Sequence, residues 1–238
     1  MPDFSQRSEE LEIMDDLDAS QGEVVFQTLR ELAIINRRLG GNYVTTNGLA
    51  KLIKNADPHR PLRIADIGCG GGDMLMYIDR WAKKRNLKVD LVGVDFNPQI
   101  TGFAQNNTSG FSNIRYLTQD IFSQEFAAHK FDLIVCSLFL HHFTANQLPP
   151  LLQQLSQQAT LGVIINDLHR HPLAYYSIKL LTQLASRSAM VKYDAPLSVL
   201  RGFSAQDWHH TLREAKLSDY ELKWYWAFRW QVVIRGLG

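Results

Sequence analysis

Residues 62–73 read Leu-Arg-Ile-Ala-Asp-Ile-Gly-Cys-Gly-Gly-Gly-Asp, an apolar run that contains one acid and then breaks into glycines. The run has the length of a buried strand, and the glycines indicate a tight turn. Residues 72–86 follow the glycines and are long enough to form a helix. Strand, glycine turn and helix in this order present backbone N–H groups to a nucleotide-like ligand. The stretch therefore predicts a binding site for such a ligand.

The same alternation of strand and helix continues along the chain. Further strands are expected at 88–95, 113–117, 131–136 and 162–167, with helices at about 98–107 and 145–158. Because these strands are apolar, rich in β-branched residues and separated by helices, they predict a parallel sheet that is covered on both faces. Residues 219–235 alternate in polarity and are expected to form two antiparallel strands joined near Ala227. The predicted fold class is α/β, with a doubly wound, mostly parallel sheet.

The remaining segments are expected to surround this sheet. Helices are predicted at about 24–39, 45–54, 172–188 and 204–216, with a loop containing Asp194-Ala-Pro196 between the last two. Residues 1–20 are polar and acidic, which indicates a loosely ordered arm or a short helix. We divide the chain into an N-terminal helical cap, residues 1–60, and a main domain, residues 61–238. A helical lid is expected as an insertion into the main domain at about 172–203.

The composition is that of an ordinary globular protein, with 238 residues, 45% hydrophobic side chains and a formal net charge of +1. Lysines and arginines are scattered, so nucleic acid is not expected as a partner. Cys69 and Cys136 lack the spacing of metal ligands and are expected to be reduced, packed thiols. The sequence has no N-terminal signal pattern and no apolar run of about 18 residues. These features predict a cytoplasmic protein without a membrane span.

The glycine turn distinguishes among nucleotide ligands. A dinucleotide fingerprint that starts at Gly68 requires a third glycine at position 73, where this chain has Asp73, and a P-loop requires a lysine. The turn instead reads Asp-x-Gly-x-Gly-x-Gly from Asp66 to Gly72. In this form it resembles the first motif of the class I S-adenosylmethionine-dependent methyltransferases. A glycine turn that is merely tight is the simpler alternative.

The resemblance extends over about residues 62–168, at the tips of successive strands. Asp95 ends the second strand, where this family binds both ribose hydroxyls, and Asp120-Ile121 resembles the pair that contacts adenine. The run Leu140-His-His-Phe143 resembles an element of the fourth motif. The resemblance implies S-adenosyl-L-methionine as the cofactor, a Rossmann-like methyltransferase fold and a seven-stranded sheet in the order 3-2-1-4-5-7-6. The cofactor-contacting residues that it implies are Asp66, Gly68, Cys69, Gly70, Gly72, Asp73, Asp95, Phe96, Asp120, Ile121 and Ser137.

Candidate proton acceptors follow the fourth and fifth strands. Methyl transfer from a sulfonium is an in-line displacement, so the protein mainly aligns the nucleophile and removes its proton, for which imidazole is suited. The resemblance to small-molecule O-methyltransferases implies His141 or His142 as the base, Asp167 as the carboxylate that orients it, and His169 as the next candidate. A structural role for either member of the histidine pair stays open. Asp167, His169 and His171 could share a metal ion, since alternate residues lie on one strand face, but no metal is expected.

The expected function is methylation, on oxygen, of a small hydrophobic or aromatic molecule that bears a hydroxyl group, as in natural-product biosynthesis. The N-terminal helices and the insertion at 172–203 are apolar and aromatic, which suits such a substrate. Methylation of a ring carbon in a quinone-like or polyketide-like molecule is the nearest alternative. A non-catalytic homologue that binds S-adenosylmethionine is the second alternative. The small-molecule substrate is the expected partner, and a homodimer stays open.

Overall fold

A computed structural model describes residues 2–16, 21–55 and 60–236. Its centre is a seven-stranded sheet in the order β3-β2-β1-β4-β5-β7-β6. The strands are β1 Leu62–Ile67, β2 Val89–Asp95, β3 Ile114–Thr118, β4 Phe131–Ser137, β5 Ala159–Leu168, β6 Tyr220–Tyr225 and β7 Arg229–Arg235. The first five strands are parallel, and β7 pairs antiparallel with both β5 and β6. The predicted fold class, strand order and closing antiparallel pair are confirmed.

Helices cover both faces of this sheet. They are α1 Gly22–Arg38, α2 Gly41–Leu52, α3 Asp73–Lys83, α4 Pro98–Asn107, α5 Gln124–Ala127, α6 Leu148–Gln158, α7 Pro172–Ala185, α8 Ala189–Arg201 and α9 Ala205–Glu214. Short 3₁₀ turns lie at Ile13–Asp15, Ile53–Asn55 and Leu140–His142. One apolar core packs α6 and α9 against the sheet, and a second core packs α2 and α3 against the opposite face. Burial on both faces explains why the parallel strands read as continuous apolar runs.

The segment after β5 differs from the prediction of one helix followed by a loop. It forms two helices, because Ser188 begins a new helix by accepting a hydrogen bond from the Val191 N–H at 3.2 Å. Asp194 and Pro196 lie inside α8 rather than in a loop. The Asp194 carboxylate accepts the backbone N–H groups of Ile13 and Met14, a tertiary contact that outweighs the local preference for a turn.

The N-terminal arm, residues 2–16, also differs from the loosely ordered segment that was predicted. Glu12 is buried, and the Arg7 guanidinium donates to the backbone oxygens of His141 and Phe143. The arm therefore packs along α8 and the turn after β4, with Glu12 in the interior and Arg7 half-buried. Residues 17–20 of the predicted arm lie outside the described part of the chain.

The carboxyl ends of the parallel strands place the candidate site. The chain crosses from β1 to β2 on one side and from β4 to β5 on the other, so the gap between β1 and β4 is the topological switch point of the sheet. Ligands of open α/β sheets bind at such a point. The glycine turn follows β1 there, and the turn Leu140–His142 follows β4 beside it.

Candidate functional site

The glycine turn is a close-fitting loop between β1 and α3. Gly68, Gly70 and Gly72 have φ values of 68°, 49° and 75°, in the left-handed region that favours glycine. A Cβ atom at Gly68 would overlap the Phe139 ring, and one at Gly72 would overlap the Tyr116 hydroxyl. Glycine is therefore required at both positions by backbone conformation and by space. The loop leaves bare backbone facing a cavity, which is what close approach to a ligand needs.

Three carboxyl groups surround this loop. Burial raises the pKa of Asp66 well above its usual value, and the neighbouring Asp73 and Asp95 raise it further. Burial also raises the pKa values of Asp73 and Asp95. Asp66 Oδ1 is buried and has no hydrogen-bond partner within the described residues. A ligand that brings a cationic group and hydroxyl donors would supply the partner that Asp66 Oδ1 lacks and would offset the charge of the three acids.

A smaller cavity of about 250 Å³ lies next to this loop. Its lining includes Asp95, Phe96, Asp120 and Ile121, four of the residues predicted to contact the cofactor. The Asp120 carboxylate accepts the Phe122 N–H at 2.9 Å, which fixes its direction. The size and the aromatic walls of this space suit a planar heterocycle, and the acids at its rim can accept from an amine and from hydroxyl groups.

A larger cavity of about 1200 Å³ joins the glycine turn to the turn Leu140–His142. It is large enough to hold a nucleotide-like cofactor and a second small molecule together. Apolar side chains of α1, α7 and α8 form much of its wall: Leu32, Ala33, Ile35, Leu39, Ile178, Leu181 and Val199. Asp66, Cys69, Gly70, Asp73 and Ser137, all predicted to contact the cofactor, also line it.

His141 lines the larger cavity and forms a buried pair with Asp167, which is not one of the lining residues. His141 Nδ1 lies 2.7 Å from Asp167 Oδ1, and Asp167 Oδ2 accepts the N–H groups of Leu140 and His141 at 2.9 and 3.3 Å. Asp167 Oδ1 also accepts the Leu168 N–H at 2.8 Å. Burial raises the pKa of Asp167, but the His141 charge and these hydrogen bonds outweigh it and hold that pKa below its ordinary value. If the ionised carboxylate accepts a hydrogen bond from Nδ1 of the neutral ring, Nε2 is the atom left to accept a proton.

Glu12 faces the other nitrogen of this ring. Its Oε1 atom lies 3.6 Å from His141 Nε2 and 4.0 Å from Arg201 Nε, and the Ser198 hydroxyl donates to it at 2.9 Å. Burial raises the pKa of Glu12 to about 7, against the opposing effects of His142, Ser198 and Arg201. A carboxyl group that titrates near neutral pH therefore sits beside the proton-accepting atom of His141.

His142 has a different carboxylate partner from His141. Its Nδ1 atom lies 2.6 Å from Asp15 Oδ1, and Asp15 Oδ2 accepts from Arg201 Nη1 at 2.6 Å. Burial works to raise the pKa of Asp15, but His142 and Arg201 outweigh it and lower the pKa to about 2. Arg201 also donates to the backbone oxygens of His141 and His142. The two histidines are thus held between the arm, α8 and the tip of β5.

With this geometry in hand, comparison with known proteins gives a consistent result. A family model described as a methyltransferase domain matches residues 64–160. The chain is 27% identical over 118 residues to a phosphoethanolamine N-methyltransferase of Plasmodium falciparum, covering 48% of this chain and 42% of that protein. Human N-acetylserotonin methyltransferase, solved with S-adenosylmethionine, superposes with a TM-score of 0.64 at 17% identity over 94% of this chain and 57% of that chain. The plantazolicin methyltransferase BpumL, solved with a pentazolic desmethylPZN analogue and S-adenosylhomocysteine, gives 0.65 at 17% identity over 94% and 93%.

Residues 64–160 therefore resemble a methyltransferase domain, and the chain has the fold of the two solved methyltransferases. The matched range of this methyltransferase domain includes the glycine turn, the acids that follow β2 and β3 and the turn Leu140–His142. It ends before Asp167, and it excludes the arm and the insertion helices α7 and α8. The chain spans less than half the length of the curated relative.

Outside the methyltransferase domain match, His169 is placed apart from the histidine pair. It is not among the residues that line the larger cavity, and its Nδ1 atom accepts from Trp224 Nε1 at 3.2 Å. His171 Nδ1 accepts the Leu173 N–H at 3.1 Å and so begins α7. Over the described ranges, Asp167, His169 and His171 do not form a metal-ligand group. The alternate spacing failed as a metal signal because each residue has a separate structural partner.

One group with metal-ligand geometry does exist in the described part of the chain. It consists of Glu12, His141 and His142, whose nearest ligand atoms lie within 4.8 Å of one another. The guanidinium of Arg201 already lies beside Glu12 and is paired with Asp15, so the carboxylates at this position have a cation close by. That charge arrangement favours a proton-transfer cluster over a metal centre.

Sequence reasoning missed the side chains that complete this cluster. Glu12, Asp15, Arg7 and Arg201 reach the histidine turn from segments far away in the chain. The only local signal for Glu12 and Asp15 is the acidic character of residues 9–16, which a solvated segment would also show, and the two arginines have none. Of the residues predicted for catalysis, the structure brings His141, His142 and Asp167 together and leaves His169 outside.

Proposed function

We propose that this protein transfers a methyl group from S-adenosyl-L-methionine to a hydroxyl oxygen of a small, hydrophobic or aromatic molecule. One observation supports this function above the others. His141, held by Asp167, and the acid-lined glycine turn line the same cavity, so the proposed proton acceptor and the proposed cofactor site share one space. The neighbours named above, some solved with S-adenosylmethionine or its product, are compatible with this proposal.

The residues around the glycine turn fit this cofactor. The unpartnered Asp66 Oδ1 and the raised pKa values of the three acids call for a cationic, hydroxyl-bearing ligand. Asp95 would hold the ribose hydroxyls, the cavity by Asp120 would hold the adenine, and Asp73 would lie near the amino-acid end. Bound S-adenosylmethionine supplies a methyl group that is already activated on a sulfonium. The protein has to orient the substrate and accept its proton.

The protein's part of the reaction is alignment and proton transfer. Asp167 keeps the proton of His141 on Nδ1, and Nε2 accepts the proton of the substrate hydroxyl as its oxygen becomes the nucleophile. The carboxyl group of Glu12, 3.6 Å from Nε2, then stabilises the charged ring that results. The apolar wall excludes water and holds a hydrophobic substrate against the cofactor site.

Three measurements test this proposal. Calorimetry should show binding of S-adenosylhomocysteine to the wild type, and Asp95→Asn should weaken it. Turnover on a panel of phenols with labelled S-adenosylmethionine should be lost in His141→Asn and kept in His210→Asn, an exposed histidine on α9. Nuclear magnetic resonance of the product should place the new methyl group on oxygen.

Each failure has a distinct meaning. Absence of S-adenosylhomocysteine binding would contradict the cofactor assignment. Binding without turnover on any phenol would favour the non-catalytic homologue. A new carbon–carbon bond in the product would favour the ring-carbon alternative, in which the same base deprotonates a phenol. If His142→Asn abolishes turnover and His141→Asn does not, the base is the second histidine.

No helix in the described ranges is both long and apolar enough to cross a bilayer. The arm, α7, α8 and the β6–β7 turn all contribute residues to the lining of the larger cavity.

A further inference from the structure

Arg229, the first residue of β7, is a buried cation in the wall of the larger cavity. It is 2% exposed, and neither its Nε nor its Nη1 atom has a hydrogen-bond partner within residues 2–16, 21–55 and 60–236. Burial lowers the pKa of this guanidinium to about 10, against the effect of Asp167, so the group stays protonated at neutral pH. A buried guanidinium with unpaired N–H groups is costly, and such groups mark sites that a ligand completes.

The buried carboxylate of Asp167, whose charge acts on Arg229, cannot supply it with a hydrogen-bond acceptor. Asp167 already accepts four hydrogen bonds, from His141 Nδ1 and the Leu168 N–H at one oxygen and from the N–H groups of Leu140 and His141 at the other. A carboxylate offers about four lone-pair sites, so those of Asp167 are occupied. It therefore supplies a compensating charge for Arg229 without supplying an acceptor.

A second unpaired polar atom lies next to the guanidinium. The bare backbone of Gly41 separates them, since a Cβ atom there would overlap Asn36 Oδ1 and lie 3.1 Å from Arg229 Cζ. Asn36 also lines the cavity, and its amide nitrogen donates to Asn42 Oδ1 at 2.9 Å. Its Oδ1 atom is buried and unpaired in the described structure. The acceptor Asn36 Oδ1 and the N–H donors of Arg229 thus form one polar patch, the corner, in a mainly apolar cavity wall.

The backbone just before Arg229 is held in an uncommon conformation. Ala227 and Phe228 have φ values of 61° and 55°, in the left-handed region that non-glycine residues rarely adopt. Both residues lie in the turn of the β6–β7 hairpin, where tight turns use positive φ values, and this turn sets the position of Arg229 at the start of β7. Trp226 and Phe228 line the cavity beside the corner and offer aromatic faces to a planar ligand.

We propose that Arg229 and Asn36 bind a carboxylate-bearing substrate, so that the methyl acceptor is an aromatic hydroxy acid. The guanidinium donates two parallel hydrogen bonds to the carboxylate, and Asn36 Oδ1 accepts from a hydroxyl on the same ring. The acid group fixes which hydroxyl reaches His141. This inference rests on the proposed function and narrows its substrate class.

The test compares acids with their esters and does not depend on turnover. The probes are 2,4-dihydroxybenzoate, its 6-pentyl homologue and the methyl ester of each, titrated into the protein saturated with S-adenosylhomocysteine. The wild type should bind each acid at least about 30-fold more tightly than its ester, because the ester cannot pair with the guanidinium. Arg229→Gln should abolish this preference by weakening the acids alone, and Arg229→Lys should retain part of it.

Controls separate this inference from the function on which it rests. Arg213→Gln, at an exposed arginine on α9, should keep the full acid preference. Each variant should bind S-adenosylhomocysteine as the wild type does, and the acid–ester comparison on the wild type needs no variant. Equal binding of acid and ester, failure of every acid to bind, or an acid preference that survives in Arg229→Gln refutes the inference. Methylation of uncharged phenols alone would refute it and leave the methyltransferase proposal standing.

Discussion

Replacing Asp167 by Asn tests the proton-acceptor pair with little change in volume. The carboxylate accepts four hydrogen bonds, whereas an amide offers one acceptor oxygen and one donor nitrogen. If the amide nitrogen turns toward His141 Nδ1, the ring must move its proton to Nε2 and the Leu168 N–H loses its partner. If the nitrogen turns the other way, the N–H groups of Leu140 and His141 both lose theirs.

The first orientation leaves fewer unpaired donors and should dominate. One buried donor without a partner costs about 1–3 kcal/mol. For a chain of this size that loss corresponds to a fall in Tm of roughly 2–12 °C. The shifted proton on His141 removes the accepting lone pair at Nε2, so kcat should fall about 10²- to 10⁴-fold, the usual contribution of general base catalysis.

The assay measures Tm, S-adenosylhomocysteine affinity and kcat on the best phenol at saturating cofactor. Asp167→Asn should lose kcat while its cofactor affinity stays within about threefold, since the pair lies outside the glycine turn. Asp219→Asn serves as the control, because Asp219 is exposed and pairs only with Arg235 among the described residues. The reasoning fails if Tm falls as expected and kcat stays within a few-fold of the wild type, since Asp167 would then be structural only.

Three further predictions follow from single contacts. Burial raises the pKa of Glu12 to about 7 in the folded protein, against 4.5 in the unfolded chain, so the contribution of this group to stability is complete below pH 4.5 and is lost as the pH rises through 7. Above pH 7, Glu12→Gln should therefore have a free energy of unfolding up to about 3 kcal/mol higher than that of the wild type in denaturant titrations, and equal pH profiles would contradict this. Gly72→Ala should lower the free energy of unfolding by about 1–3 kcal/mol through overlap with the Tyr116 hydroxyl, whereas Gly110→Ala, with open space around it, should change it little. Asp95→Asn should weaken S-adenosylhomocysteine about tenfold or more by calorimetry, and unchanged affinity would remove Asp95 from the cofactor site.

The sequence predicts the sheet and the cofactor side of the site because both depend on local pattern. A glycine turn after β1 and acids after β2 and β3 lie at one edge wherever parallel strands share a direction. The contact between His141 and Asp167 follows for the same reason, since β4 and β5 are neighbours and their tips lie side by side. Hydrophobic periodicity and strand order are therefore enough to predict the contacts of residues that the sheet itself brings together.

The substrate side depends on contacts that no local pattern encodes. Glu12 and His141 are separated by more than half the chain, and the arm reaches the histidine turn through side chains that could equally face solvent. Asp194 and Pro196 suggested a loop, but the carboxylate holds the arm from within α8. In the sequence, Arg229 is one of several polar residues in an alternating strand segment. Its burial next to Gly41 and its unpaired N–H groups are visible only in the structure.

The arm, α8 and the histidine turn behave as one hydrogen-bonded unit. Arg201 of α8 pairs with Asp15 of the arm and donates to the backbone oxygens of His141 and His142, while Arg7 donates to the His141 oxygen as well. Displacing the arm or α8 would therefore release the same backbone that carries the proposed base. The arm and α8 line the cavity and also hold the backbone of His141, so the position of the proposed base depends on both elements staying in place. Under the proposed function, a substrate that fits between these elements therefore meets a base that is already positioned.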